Sequence, residues 1–458
     1  MSLNSISPID GRYEKHTKNL APYWSEFALM KYRIIVEGEY LIALSELKIK
    51  LRKFSDTEKK LIRSFYNLSE KDAQIISDIE LKGYKHIKAT DHDVKAIEYF
   101  MKDKLSKTSL NDSLEWIHFA LTSEDTNNLA YALMLSDSLE QVLIPSIKKI
   151  ILELNTLAKK HKNLAMLART HGQPASPTTF GKEMKVFAHR LERGLDHLFG
   201  QKILAKLNGA TGNYNAHIAA YPKINWQKFS EKFITSLTQK RIIPLELNHF
   251  TTQIESHDSY IEIFDRFKRL NNMLMDFNQD IWRYISDEWI TQKPMEGVVG
   301  SSTMPHKVNP IKFENSEGNL GMANALFEFF GRKLQISRLQ RDLSDSTVER
   351  NFGVAFSHCL IAYNYLLKGL SQISVNEKKI KESLSNHPEI ITEAIQTILR
   401  REGVKMPYEK LKELTRGKVV TLADIHKFIS TLDVSDKTKK ELLKITPENY
   451  IGLASKFV

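Results

Sequence analysis

Four polar clusters interrupt an otherwise helical sequence, and their residue types suit proton transfer beside a bound anion. The first is Asp10-Gly11-Arg12-Tyr13. The second is Thr90-Asp91-His92-Asp93, followed by His118 and by Thr122-Ser123-Glu124-Asp125. The third is Arg169-Thr170-His171-Gly172-Gln173-Pro174. The fourth is Gly-Ser-Ser-Thr-Met-Pro-His-Lys-Val-Asn-Pro at 300–310, continued by Glu314 and Asn315, with Arg341-Asp342 and residues 346–350 downstream. Glycine permits backbone conformations that other residues avoid, and the two prolines interrupt regular hydrogen bonding. Such a loop can turn backbone N–H groups, Ser301, Ser302, Lys307 and Asn309 toward one small volume. Preorganised donors of this kind stabilise a developing oxyanion, and removing one can cost about 10²–10³ in rate.

Taken singly, each cluster also has a plain structural explanation. Thr122 or Ser123 can cap a helix, with Glu124 and Asp125 favoured by the positive end of its dipole. Asp91 could cap the helix that contains residues 94–100, and residues 171–174 could form a helix-terminating turn. The sequence has no His-Glu-x-x-His, no Walker A string and no Gly-x-Ser-x-Gly elbow.

Long helices must position these clusters. Apolar residues recur at three- and four-residue steps over 123–160, 178–207, 257–291, 311–332 and 346–370. These five segments run to roughly 22–38 residues, or ~33–57 Å at ~1.5 Å per residue. Pro145 predicts a kink or local break in the first. Amphipathic helices of this length bury their apolar stripes most easily in a roughly antiparallel bundle. Segments 320–330 and 353–367 are apolar over a broad arc, so other subunits are expected to complete the bundle as a symmetric homo-oligomer. The expected fold is all-α, with an N-terminal helical domain at 1–112, a central long-helix domain at 113–366 and a C-terminal helical domain at 367–458. The N-terminal part carries shorter helical segments, at 25–47, 56–68, 69–90 and 92–105. Strand candidates are weak, the best being 418–422.

Composition narrows the functional classes. The 458 residues are 42% hydrophobic and carry a formal net charge of +11. Mean hydropathy is −0.35, which fits a soluble globular protein. No apolar run approaches the ~18–20 residues that a bilayer requires, and the first residues lack the pattern of a secretory signal. The single cysteine, Cys359, excludes an intramolecular disulfide framework and reads as core, so a cytoplasmic setting is expected. The basic residues fall in short runs along the helices and read as solvated surface. A basic helical scaffold for nucleic acid is the alternative class, and no recognition motif accompanies it.

The string at 300–310 resembles the signature loop of the aspartase/fumarase superfamily, whose members cleave C–N or C–O bonds to release fumarate. Within it, His306, Thr-His-Gly-Gln-Pro at 170–174 and Thr-Ser-Glu-Asp at 122–125 are similar to the adenylosuccinate lyase family. So are Ser-Pro-Ile-Asp-Gly-Arg-Tyr at 7–13, Thr-Gln-Ile-Glu at 252–255 and Arg-Asp-Leu-Ser-Asp-Ser at 341–346. Asp91 departs from the pattern, standing where Asn is expected. The resemblance implies Ser301 as general base, His171 as general acid, Glu314 as the partner of His171, and Lys307 as an oxyanion and alkoxide stabiliser. It implies substrate contacts at Arg12, Tyr13, Asp91, His92, Asp93, His118, Thr122, Ser123, Gln253, Ser302, Asn309, Asn315, Arg341, Ser346 and Arg350. A small-molecule nucleotide substrate, a homotetramer with shared sites, no cofactor or metal, and no nucleic-acid or membrane partner are the further implications. Residues 293–306 are expected to order when ligand binds. Another fumarate-releasing lyase, chiefly one for argininosuccinate, is the competing reading.

Overall fold

The computed structural model describes residues 3–239, 241–293, 304, 307–417 and 419–458. In chain order the elements that bear on the site begin with the helices α1 (Glu26–Ser45), α2 (Glu70–Leu81), α3 (Asp93–Leu105), α4 (Ser123–Ser138) and α5 (Ile144–Lys160). The strands β1 (Ala165–Thr170) and β2 (Gln173–Thr179) follow, then α6 (Phe180–Phe199), β3 (Ile203–Ala205), β4 (Leu245–Leu247) and α7 (Asp258–Ser286). Next come β5 (Ile290–Gln292), α8 (Ile311–Lys333), α9 (Ser344–Glu349), α10 (Phe352–Ser371), β6 (Ile373–Val375) and α11 (Glu377–Ser385). The expected all-α class holds. Among the described residues the strands form three two-stranded ladders, β1–β2 and β5–β6 antiparallel and β3–β4 parallel. No described helix is long and apolar enough to cross a membrane.

The expected helices are present, but several of their ends differ. The local break expected at Pro145 comes just before it, between α4 and α5. A π-helical turn at Leu139–Leu143 precedes the proline, with the Ile144 N–H bonded to the Leu139 carbonyl, five residues back. The widened turn relieves the clash that a proline ring makes with the carbonyl four residues earlier. The helices of segments 178–207 and 257–291 stop at Phe199 and Ser286, and the apolar residues Ile203, Leu204 and Ile290 beyond them belong to β3 and β5. Short buried strands carry the same residue types as a helix face, so periodicity alone runs past the true end.

Segment 346–370 divides into α9 and α10. There the Asn351 side chain donates to the Thr347 carbonyl at 2.9 Å, taking the place of a backbone N–H. Segment 69–90 ends as a helix at Leu81, and Gly83 follows with φ +91°. The strand candidate at 418–422 is not one. Lys418 lies outside the described residues, while Thr421 caps a helix over Leu422–Ser430.

The chain condenses into two compact units. One comprises Met1–Ile147, Gly194–Asn272 and Gly318–Asn364, and the other Lys148–Arg193, Met273–Glu317 and Tyr365–Val458. In the first, an aromatic core joins α7, α8 and α10. Phe264 stacks on Phe327 at 5.2 Å and meets Phe352 edge-on at 5.1 Å, and Phe267 meets Phe356 edge-on at 5.3 Å. Such pairs contribute about 0.5–1.5 kcal/mol beyond their burial. Buried Asn271 donates to Asn324 and accepts from Tyr363, both at 2.9 Å. Cys359 is fully buried beside it, and burial pushes its thiol up to about 12. In the second unit, Phe187 of α6 packs edge-on against Phe277 of α7 at 5.2 Å. The rim of the Phe313 ring fills the space that a side chain at Gly369 would need.

Candidate active site

The first unit gathers the residues expected to hold a nucleotide at the starts of α3 and α4. His92, not Asp91, is the N-cap of α3: its Nδ1 accepts the Lys95 N–H at 3.3 Å. Asp91 takes a left-handed backbone (φ 46°) one residue before the cap and donates its own N–H to the Glu80 carbonyl. Asp93 bridges two guanidinium groups, Arg33 Nη2 at 2.6 Å and Arg350 Nη2 at 3.0 Å. Burial would lift Asp93's pKa, but both arginines and the Val94 N–H outweigh it and hold the carboxyl below its ordinary value. Arg350 also donates to Glu26 at 2.5 Å.

Across from His92, its Nε2 lies 3.4 Å from the Ser123 hydroxyl at the start of α4. Thr122 is the N-cap of α4, and its N–H is held by Asp125 Oδ2 at 2.9 Å. Asp125 is a fully buried hub that also accepts from Lys206 Nζ at 2.6 Å and from the N–H groups of Asn208 and Gly209.

His118 sits on a left-handed turn (φ 60°), with Nδ1 2.7 Å from Glu37 Oε1 and its N–H donating to Glu37 Oε2 at 3.1 Å. Burial works against the imidazolium, yet the fully buried Glu37 carboxylate outweighs it, and the His118 pKa is raised. Arg341 reaches Gln253 Oε1 at 3.4 Å and Glu124 Oε2 at 3.2 Å, and Gln253 Nε2 donates to the Ala210 carbonyl. Ser346 follows in α9, its N–H bonded to Asp345. Exposed Arg12 and half-buried Tyr13 lie between Asp10 and Glu14, which line a cavity of about 480 Å³ with Glu26 and Arg350. Thr90 lines another, of about 630 Å³, with Lys88, Lys95 and Lys102. Polar contacts thus join His92, Asp93, Ser123 and Arg350 in one set, and Gln253, Arg341 and Glu124 in another.

The second unit carries the residues expected to move protons. The sequence 170–174 is not a helix terminator. It is the tip of the β1–β2 hairpin, where Thr170 pairs with Gln173 and the two-residue turn is His171-Gly172, with φ 53° and 75°. Positive φ at both positions is the turn that matches strand twist, and glycine supplies it without strain. The turn projects His171 into solvent, and no hydrogen bond or ion pair ties its imidazole to the described residues. Glu314 lies in the first turn of α8 and accepts from Trp282 Nε1 at 3.1 Å. Glu314 and His171 therefore do not meet within one chain. Lys307 is exposed, and Asn309 and Asn315 are half-buried. Ser301, Ser302 and His306 lie outside the described residues, and of the segment 293–306 only Lys293 and Met304 are described. No described cluster of three or more His, Cys, Asp or Glu could hold a metal ion.

A family model described as Lyase matches residues 11–324, and one described as Adenylosuccinate lyase C-terminal matches residues 337–451. The adenylosuccinate lyase of Legionella pneumophila (strain Corby) is 49% identical over 467 aligned residues, covering 100% of this chain and 98% of its own. Those of Haemophilus influenzae and Escherichia coli (strain K12) are 48% and 46% identical, covering 100% and 99% of this chain and 98% and 97% of theirs. The chain belongs to the adenylosuccinate lyase family.

Two solved structures share the fold at low identity. The 3-carboxy-cis,cis-muconate lactonizing enzyme from Pseudomonas putida superposes with a TM-score of 0.72 at 16% identity, over 97% of this chain and 96% of its own. A fumarate lyase from Mesorhizobium sp. BNC1 gives 0.72 at 15%, over 96% of both chains.

In this adenylosuccinate lyase family member, sequence reasoning missed Arg33 and Glu37, which hold Asp93 and His118. Both lie in α1, inside the run Ala-Leu-Met-Lys-Tyr-Arg-Ile-Ile-Val-Glu. A charge within so apolar a helix face needs a buried partner, and that was the available signal. The Asp125–Lys206 pair left the same kind of trace, since Lys206 stands in the apolar run Ile-Leu-Ala-Lys-Leu at 203–207.

Proposed function

We propose that the chain cleaves adenylosuccinate to AMP and fumarate, and likewise removes fumarate from the succinylated aminoimidazole-carboxamide ribotide of purine synthesis. The likeness to adenylosuccinate lyases over the full length, at nearly half identity, is the observation that carries this reading. The chemistry is a β-elimination. A proton leaves the carbon next to a succinyl carboxylate, and the leaving nitrogen gains one. The carbanion is tolerable only if its charge spreads into the carboxylate, so that oxyanion needs donors already in place.

Ser301 is the proposed base, its alkoxide stabilised by Lys307 and backbone N–H groups in a closed, dry site. His171 is the proposed acid, presented at a hairpin tip where a ligand can reach it. Since His171 and Glu314 do not meet in one chain, their pairing is proposed to form between subunits. Asn309, Asn315 and Ser302 are proposed to contact the succinyl end. Arg12, Tyr13, Arg341, Ser346 and Arg350 are proposed to hold phosphate and ribose, since guanidinium groups suit bidentate phosphate recognition. Thr122, Ser123 and Gln253 take the carboxylates or purine, while Asp91, Asp93, His92 and His118 orient the nucleotide. Elimination involves no net redox change, so no cofactor is required.

The proposed assembly is a cytoplasmic homotetramer. Met322 and Phe329, on the outer face of α8, are 53% and 45% exposed, which supports a partner there. The chain is further proposed to divide functionally at 112 and 366. Ultraviolet absorbance of fumarate during incubation with adenylosuccinate tests the function. Release from argininosuccinate alone would overturn it.

A further inference from the structure

Beside the proposed substrate contacts lies a buried knot of ionisable groups that the mechanism above does not use. Glu124, in the first turn of α4, is 1% exposed, and neither of its carboxyl oxygens has a hydrogen-bond partner among the described residues. Its cation is Arg341, with Nη1 3.2 Å from Oε2. That guanidinium also approaches Asp345 at 3.4 Å through Nε, without hydrogen-bond geometry, and its long bond to Gln253 leaves donors uncommitted among the described residues. The Arg341 side chain is 14% exposed, so an anion can reach it.

Ionisable groups from several elements surround this pair. Residues Asp345 and Glu349 come from α9, and both are buried. The segment before α7 brings Glu255 and His257, whose Nε2 lies 3.0 Å from Glu349 Oε1, and α7 adds Tyr260. From α4 itself comes Asp125, which is already neutralised by Lys206. Burial, then the Glu349 charge, pushes the Glu124 carboxyl up to about 8, against the pull of Arg341. Despite its burial, His257 is raised to about 9 by Glu349. So many carboxyls cannot all stay ionised around one guanidinium and one imidazolium.

We propose that Glu124 is a positioning residue that acts through Arg341. It holds the guanidinium while the site is empty, and takes up a proton from solvent when an anionic oxygen of the substrate takes its place. The inference rests on the reading of Arg341 as a substrate contact. The anion comes from either the phosphate or a succinyl carboxylate, and AMP and fumarate as separate probes distinguish them.

Calorimetric titration of the full-length enzyme with each probe, in two buffers of different ionisation enthalpy, counts the protons. At about pH 8 the phosphate of AMP is already a dianion, because its second pKa is near 6. Proton uptake on the order of half a proton per site is expected with one probe, and affinity for that probe should fall about three- to tenfold between about pH 7.5 and 9. Both effects should largely vanish in Glu124→Gln, whereas an uptake that belonged to His257 instead would persist. Asp345→Asn, which removes a neighbouring charge, should shift the uptake to lower pH and keeps the test open if Glu124→Gln does not fold. Binding without uptake, or the same uptake in Glu124→Gln, or an unmoved window in Asp345→Asn, overturns the inference alone. Binding of neither probe by the unaltered enzyme overturns the site reading as well.

Discussion

At the residue scale, the two proposed proton carriers make the sharpest claim. Ser301→Ala and His171→Ala should each lower kcat by orders of magnitude while adenylosuccinate still binds, as measured by turnover and by equilibrium titration. Near-normal turnover in either variant would remove its role. The His118–Glu37 pair makes a separate claim, about pH. Because the His118 pKa is raised in the folded protein, its pairing stabilises the fold fully below the unfolded value near 6.5. That contribution is lost as pH rises through the folded value. Glu37→Gln should therefore cost about 2–3 kcal/mol in urea unfolding at about pH 6, with a smaller cost at about pH 9. A cost that does not change with pH would mean that His118 stays neutral.

At the element scale, the hairpin that presents His171 separates strain from steric clash. Nothing lies within 4 Å of a side chain built on Gly172, but its φ of +75° is one that a β-branched residue resists. Gly172→Val should cost about 1–2 kcal/mol and lower kcat by misplacing His171, while Gly172→Asn should largely preserve both, because Asn tolerates that conformation. Equal losses in the two variants would point away from backbone strain. Gly181, at the start of α6, has the opposite problem. A Cβ there would lie 2.3 Å from the Ala158 carbonyl oxygen and 2.6 Å from the Lys162 Cα, and neither backbone atom can yield cheaply. Gly181→Ala should lower Tm by overpacking worth about 1–3 kcal/mol, leaving the chemistry of the folded fraction unchanged. These elements were unevenly legible in the sequence. The 3.6-residue period marked the long helices, since it records which face is buried. The hairpin was misread because Thr170–Pro174 carries turn residues that end helices and join strands alike, and β1 and β2 lack a clean alternation. The split between α9 and α10 was hidden because one side-chain bond from Asn351 made it, and no period reports such a bond.

At the scale of the whole molecule, the proposed catalytic residues divide between the two compact units, with His171 and Glu314 in one and the nucleotide contacts in the other. Glu314 is occupied by Trp282, and the imidazole of His171 has no partner among the described residues of its own chain. A rod-like helix can carry a side chain far from its neighbours in sequence, and long helices in a symmetric assembly bring equivalent positions of different copies together. If each site draws on more than one subunit, a Ser301→Ala chain and a His171→Ala chain are defective in different parts of it. Mixed assemblies would then contain some sites in which both residues are intact. Co-refolding the two inactive variants should restore a measurable fraction of activity, about a quarter at most for sites sharing two independent chains at equal amounts, by statistical assembly of symmetric oligomers. The recovered rate should appear only where mass spectrometry shows hybrids, and each variant refolded alone should stay inactive. Hybrids verified by mass and still inactive would place Ser301 and His171 of every site on the same chain.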